Sequence, residues 1–447
     1  MNISAAPHSC AKGRALCGLL LVAALATGCA VGTVADSNGP SAPGDTLGRP
    51  GSIERATLAV RVALDPTDAA LAAQAGISLG GILVRLERPA SASLPQTVAT
   101  DGSGVARFPS LLEGVYVVSA ERPLTPDERE RLPAADREVT VLASARRVTV
   151  APPTASTTIE LVAARRGSLV LSEVFFSTRG GAMSAGTSSA QYVEFFNAAD
   201  SAIYLDGMLI FQTALNLHRM VLDAYVCDTH NAAERLDPEG IWALSIWRFP
   251  GTGTTHRVDP GKAVVVAVDA TDHRVVDGDL QDLRGAEFEF IGDPADPDNP
   301  GAVNMIPLRK GGTSAGHNLT ANIIIGVALP IAVDTTQLEA TSLVNTSSAD
   351  GGAFRSWRIP RSAILDLGAF SLTPDRDALV AGENCEPFTN PAFDRSPAPL
   401  VSSLVVTAIA RRSLGFTEGG VEILQRTRTS ERDFEYASPL RRSLRRQ

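Results

Sequence analysis

Two β-sandwiches in succession, the second larger and with long loops, are what this sequence predicts, and the fold class is all-β. Three observations carry that expectation. Apolar and polar residues alternate at period two, as in Thr57-Leu58-Ala59-Val60-Arg61-Val62-Ala63-Leu64, the spacing of a strand with one buried face. Strand-like runs are punctuated by Gly, Pro and Asp every 8–12 residues or so, the rhythm of a sandwich or barrel. Other runs, Ser168–Phe176 and Ala263–Val268, are apolar on both sides and need cover on both. The 447 residues suffice for two or three domains.

The first sandwich is expected over 56–165. Its opening strand places Leu58, Val60, Val62 and Leu64 on one face. Asp65-Pro66-Thr67-Asp68 is suited to capping a short helical turn that ends near Gly76. Strands follow at Gly81–Glu87 and Gln96–Thr100. Asp101-Gly102-Ser103-Gly104 then supplies a turn, because glycine tolerates the positive φ that hairpins need. Val105–Phe108 and Leu111–Ala120 continue the sheet. Thr125-Pro126-Asp127-Glu128 reads as a capping box with proline in the first turn, so a short surface helix is expected over Asp127–Leu132. Val139–Val150 and Thr158–Val162 complete the module.

The second sandwich is expected over 166–440, with strands at Ser168–Phe176, Gln191–Asn197 and Ala263–Val268 and tight turns at Leu205-Asp206-Gly207 and Pro260-Gly261. In Gln191–Asn197, Tyr192, Glu194 and Phe196 fall on one face and Val193 and Phe195 on the other. The last seven residues, 441–447, form a basic tail that reads as a solvated end.

The amino terminus reads as a processing signal. Lys12 and Arg14 precede the apolar run Ala15–Thr27, which is short for a permanent membrane helix. The run ends in Leu25-Ala26-Thr27-Gly28-Cys29, which resembles a bacterial lipobox, with Ala26 where leucine is usual. The resemblance implies cleavage after residue 28 and acylation of Cys29, and several acyl chains make a firm anchor where one is marginal. Residues 29–55 are rich in Gly, Pro, Ser and Asp and bury too little to offset their ordering entropy. They read as a flexible tether.

Of the five cysteines, Cys10 and Cys17 leave with the signal and Cys29 takes lipid. Cys227 and Cys385 remain, either as a disulfide in an oxidising compartment or as two separate buried thiols. The net charge of −9 gives no general attraction for nucleic acid. The 5% aromatic content argues against a surface built on aromatic stacking.

The order strand, Thr100-Asp101-Gly102, short strand with Phe108, then Leu111-Leu112-Glu113-Gly114-Val115-Tyr116-Val117 resembles the carboxypeptidase-regulatory and collagen-adhesin-B modules. Those are small Ig-like or transthyretin-like sandwiches and commonly serve as spacers. Ser172-Glu173-Val174, Tyr192-Val193-Glu194-Phe195-Phe196-Asn197, Leu205-Asp206-Gly207, Phe249-Pro250 and Pro260-Gly261-Lys262-Ala263-Val264-Val265-Val266 resemble the lamin-tail type of Ig-like sandwich. The further runs Asp269–His273, Ala286–Phe290, Asp298-Asn299-Pro300 and Trp357–Pro360 extend the resemblance to uncharacterised Bacteroides-type exported lipoproteins with a domain of unknown function. The resemblance spans nearly the whole mature chain and implies an outer-membrane location but no activity.

Several residues could carry chemistry, each beside a plainer reading. Gly312-Thr313-Ser314-Ala315-Gly316 fits the G-x-S-x-G nucleophile elbow, but the strand-then-helix context that the elbow needs is missing, so Ser314 reads as part of a Gly/Ser loop. Asp293, Asp296 and Asp298 could hold calcium or form a solvated turn. Histidines 218, 230, 256, 273 and 317 are scattered, without zinc spacing. Glu173 and Glu194 are either a glycosidase-type carboxylate pair or polar contacts at a strand edge or sandwich end. Trp242, Trp247 and Trp357 are either a sugar-stacking platform or core. The sequence therefore predicts no cofactor, no resident metal and no catalytic residue. It points to a lipid-anchored binding or scaffold protein of the cell envelope, with an outer-membrane protein or a glycan as partner. The loops Arg179–Ala190 and Gly292–Ser314 are the expected contact regions.

Overall fold

A computed structural model of the chain describes residues 54–88, 94–133, 136–137, 139–176, 190–214, 218–221, 224–227, 237–243, 245–290, 299–309, 323–332, 357–372, 390–400, 408–417 and 419–439. About half of these residues lie in β-strands and few in helices, and the fold is all-β.

The alternation of the first segment becomes strand β1 (Ala56–Leu64), with Leu58, Val60 and Val62 buried. There follow β2 (Leu83–Glu87), β3 (Gln96–Ala99), β4 (Val105–Leu111), β5 (Gly114–Pro123), β6 (Val141–Val150) and β7 (Thr154–Ala164). They form one sheet in the order β3-β2-β5-β6-β7-β1-β4. β1 lies parallel to β7 and antiparallel to β4. The sheet folds over on itself, so that Val84, Leu86 and Val118 share one core with Leu58, Val60, Phe108, Ile159 and Leu161.

Two short helices decorate this sheet. Helix α1 (Ala69–Ala75) ends on Gly76, whose φ of +69° suits its N–H to bond back to Ala72 and Ala73. Its expected amino-terminal cap is corrected: the Asp68 side chain does not cap the helix. It is buried and accepts the Ala163 N–H of β7 at 3.0 Å, tying helix to sheet. Helix α2 (Pro126–Glu130) carries the anticipated capping box. Thr125 Oγ1 accepts the Glu128 N–H, and Glu128 accepts the Thr125 N–H. Arg122 also grips the Glu128 carboxylate, and this hydrogen-bonded pairing lowers its pKa to about 2.

The second half begins with β8 (Leu169–Phe175), β9 (Tyr192–Asn197), β10 (Ile203–Tyr204), β11 (Leu209–Ala214), β12 (His218–Val221), β13 (Ala224–Cys227), β14 (Gly240–Ala243) and β15 (Ser245–Arg248). It continues with β16 (Arg257–Val258), β17 (Ala263–Ala267), β18 (Phe288–Glu289), β19 (Val303–Asn304), β20 (Ile306–Arg309), β21 (Ile323–Ala328) and β22 (Trp357–Pro360). It closes with β23 (Ile364–Leu372), β24 (Ala398–Leu400), β25 (Ala408–Arg411), β26 (Ser413–Phe416), β27 (Glu422–Leu424) and β28 (Phe434–Ala437).

Two large sheets result, ordered β20-β15-β11-β21-β23-β24 and β19-β18-β17-β9-β8-β25-β28. Leu171, Val193, Phe195 and Val264 of the second pack against Ile210, Trp247, Ile325 and Phe370 of the first, the interleaved core of a sandwich. The double-sided apolar runs are explained by what covers the far side. Tyr192, Val265 and Ala267 form a separate cluster with Leu280, Leu283 and Ala286 of the following loop.

A buried ionic knot ties the sandwich together. Arg411 on β25 is 1% exposed and donates to Asp366 of β23 at 2.8 Å, to the Leu171 carbonyl at 2.8 Å and to Asp433 at 3.4 Å. Asp366 also accepts the Leu171 N–H and pairs with Arg426. A buried cation needs this saturation, because an unpaired charge in the interior is costly.

Candidate functional site

A broad hollow is built where the ribbon β26–β27 crosses the outer face of the first sheet. Register sets its floor. Leu83, Glu121 and Ala143 lie side by side across β2, β5 and β6, and Thr97, Arg85, Ser119 and Ala145 form the next rung from β3 to β6. The third rung is Glu87, Val117 and Arg147. Small side chains at Ser119 and Ala145 leave a trough, and the ribbon lies in it through Gly415. A Cβ at residue 415 would stand 3.2 Å from both Ser119 Cβ and Ala145 Cβ, and its φ of +114° is one that side chains disfavour. Leu414 and Ile423 anchor the ribbon on Val141, Ala143 and Ala164.

The ribbon divides the face into two hollows of about 770 Å³ and 280 Å³ that share Arg85, Ser119 and Phe416. Phe416 is 51% exposed and Leu83 58%. At one end of the larger hollow Arg166 bridges the Glu121 and Asp200 carboxylates, the latter at 2.7 and 2.8 Å. Arg85 reaches Glu87 at 3.1 Å on the floor. Arg146 and Arg147, both exposed, line the smaller hollow. A concave surface that combines apolar side chains with a few converging polar groups is the usual form of a ligand site.

No protein-family model matches the chain, and no curated protein matches it. Among solved structures the chain is similar to a DUF4876 family protein from Bacteroides thetaiotaomicron, at 16% identity over 86% of this chain and 96% of that one, with a TM-score of 0.49. It is also similar to a DUF3823 family protein from Parabacteroides merdae, at 9% identity over 48% of this chain and 81% of that one, with a TM-score of 0.17.

Glu173 and Glu194 are brought together, though not as expected. The register of β8 on β9 slips at Ser172, which sets Glu173 directly opposite Glu194 in the middle of the sheet. Their expected place at a strand edge or sandwich end is therefore corrected: β8 and β9 are inner strands of the sheet, and the bulge at Ser172 sets the two carboxylates opposite each other. Both are fully buried. Tyr192 Oη donates to Glu173 at 2.5 Å and Ser172 Oγ to Glu194 at 2.7 Å. A glycosidase pair must flank a sugar, and neither carboxylate reaches the surface.

The tryptophans do not make a platform. Trp247 is fully buried against Phe290, ring centres 4.7 Å apart. Trp242 and Trp357 sit on adjacent rungs of the β14–β22 ribbon and so fall on opposite faces of it.

His273 is buried with Nε2 2.9 Å from the Asp269 carbonyl oxygen, and the His256 ring packs edge-on to Phe288. Among the described residues no group of three or more His, Cys, Asp or Glu is placed to hold a metal ion. Cys29, Cys385, Asp293, Asp296, Asp298 and Ser314 lie outside the described residues, as do His230, His317 and most of the loops Arg179–Ala190 and Gly292–Ser314. Cys227 falls on β13, opposite His218 in register.

Two features had no usable sequence signal. The trough under Gly415 depends on pairing two small residues that stand 26 positions apart in sequence. Asp394 is 2% exposed and accepts from Ser430 Oγ at 2.5 Å and the Ser396 N–H at 3.0 Å. Burial outweighs these bonds and pushes its pKa up to about 7.

Proposed function

We propose that this protein is a non-catalytic binding protein of the cell envelope, anchored by lipid on Cys29, with its ligand seated in the cleft around Phe416. The observation that supports it is the contrast between the two polar clusters. The paired carboxylates Glu173 and Glu194 are fully buried, whereas the cleft exposes Phe416 and Leu83 beside arginines and hydroxyls on rigid strands. An aromatic held half out of water on a built scaffold is typical of a contact residue. The Leu25–Cys29 segment supports the anchor, and the flexible composition of residues 29–55 supports a tether that frees the sandwiches from the membrane surface. Among the described residues no helix is long and apolar enough to cross a membrane.

The test is site-specific photo-crosslinking in native membranes. Phe416 is replaced by p-benzoyl-phenylalanine, with Tyr436 replaced in the same way as an exposed control. Adducts at 416 that are absent at 436, and that decline when Cys29→Ser releases the chain from the membrane, are the expected result. Equal adduct formation at both positions sinks the reading.

A further inference from the structure

The charges around the cleft are unevenly compensated. Arg166 is held by Glu121 and Asp200, and Arg85 by Glu87. Arg146 and Arg147, on the rim of the smaller hollow, have no carboxylate partner among the described residues. The Arg146 side chain donates to the Thr158 carbonyl at 3.2 Å, and the Arg147 side chain makes no hydrogen bond or ion pair among the described residues. On a chain of net charge −9, Arg147 is an uncompensated cation on the outer face, beside the exposed Phe416 ring, whereas Arg146 pairs with Val118 and falls on the opposite face of β6. Arginine forks suit carboxylate and sulfate oxygens, which they bind with paired hydrogen bonds.

The rest of the lining narrows the class further. The floor strands β2 and β5 are paired on both sides, and β6 pairs with β7 only over Val141–Ala143, so the centre of the floor offers side chains and no free strand edge. An extended peptide gains affinity chiefly from such an edge. What the floor does offer is hydroxyls at Thr97 and Ser119, the Arg85–Glu87 pair and the Phe416 ring. Those groups match a ligand with many hydroxyls, flat apolar patches and an occasional anionic group.

Resting on the binding reading above, we infer that the cleft takes an acidic polysaccharide, with a carboxylate or sulfate group of one sugar held by Arg147 and Arg85 and a neighbouring ring laid on Phe416. Because the protein is negative overall, a polyanion at large repels it, so retention by one reports a local site.

Affinity electrophoresis of the full chain tests this, in native gels containing polygalacturonate (carboxylate), heparin (sulfate), dextran (neutral) or poly-glutamate (acidic peptide). The expected result is retardation by polygalacturonate or heparin and not by dextran. Apparent affinity should fall at least tenfold in the double variant Arg85→Gln, Arg147→Gln and also fall in Phe416→Ala, with thermal unfolding confirming that both variants fold. Which acidic gel retards the chain identifies the anion. No retardation in either acidic polysaccharide, or retardation untouched by these substitutions, overturns the inference. Retardation by dextran that ignores the arginines makes the cleft a neutral-glycan site, and retention by poly-glutamate alone makes it a peptide site. Both results overturn the acidic-polysaccharide assignment and leave the broader binding reading to the crosslinking at 416.

Discussion

Asp394 couples the fold to pH. With its pKa raised to about 7 by burial, well above the ordinary aspartate range, the folded protein favours the protonated form. The stabilisation is fully present below the unfolded pKa and is lost as pH rises through about 7. Glu128 and Asp282 behave oppositely. Hydrogen-bonded chiefly to Arg122 and to Arg284, they are lowered to about 2, so their contribution holds above the ordinary carboxylate range and fails only in strong acid. Between pH 5 and 7.5 Asp394 therefore moves alone among these three. Its replacement, Asp394→Asn, should flatten the slope of unfolding midpoint against pH in that window, as urea titrations at several pH values will show. Arg411→Met should be severe. It leaves Asp366 and Asp433 buried with fewer partners, a loss on the order of 3–5 kcal/mol, measured as a lower urea midpoint with an unchanged slope. Neither residue advertises itself in the sequence. An Arg and three Asp residues spread over β23, β25 and the turns before β24 and β28 meet only through the topology.

Local patterns were legible wherever a short-range rule decides the structure. The alternation in β1, the glycine at the end of α1 and the Thr125–Glu128 box all produced the expected elements. Thr125→Ala should cost about 1 kcal/mol, read by thermal denaturation. Where a side chain chooses a distant partner, local reading fails. Asp68 looks like a cap and instead holds the Ala163 N–H of β7. A single extra residue at Ser172 turns Glu173 onto the face of Glu194, and no periodicity rule locates a bulge in advance. The ribbon β26–β27 is the element on which the cleft depends. Gly415→Val adds a branched side chain where a Cβ already meets Ser119 and Ala145 at 3.2 Å. The substitution should cost about 1–3 kcal/mol and lift the ribbon, which limited proteolysis with trypsin at Arg411-Arg412 will register as faster cleavage.

For the whole molecule, two sandwiches are joined by more than their linker. The ribbon from the carboxy-terminal part packs on the first sheet, Arg166 links Glu121 to Asp200, and Arg432 reaches Asp65 at 2.9 Å. The cleft thus lies between parts that hold each other in place, so its lining is preorganised and little ordering cost falls on binding. Fold class was legible in the sequence because strand rhythm and turn residues are local properties. The site was not, because it is made from the outer face of one sheet and a ribbon some 290 residues later. The most direct measurement is hydroxyl-radical footprinting of the full chain, in native envelopes and after extraction and purification. Phe416, half exposed in the isolated protein, should be labelled several-fold less in the envelope, while Tyr436, equally open, is labelled alike in both. Equal labelling of Phe416 in the two states would contradict the account, since a cleft that meets no ligand where the protein resides is not its binding site.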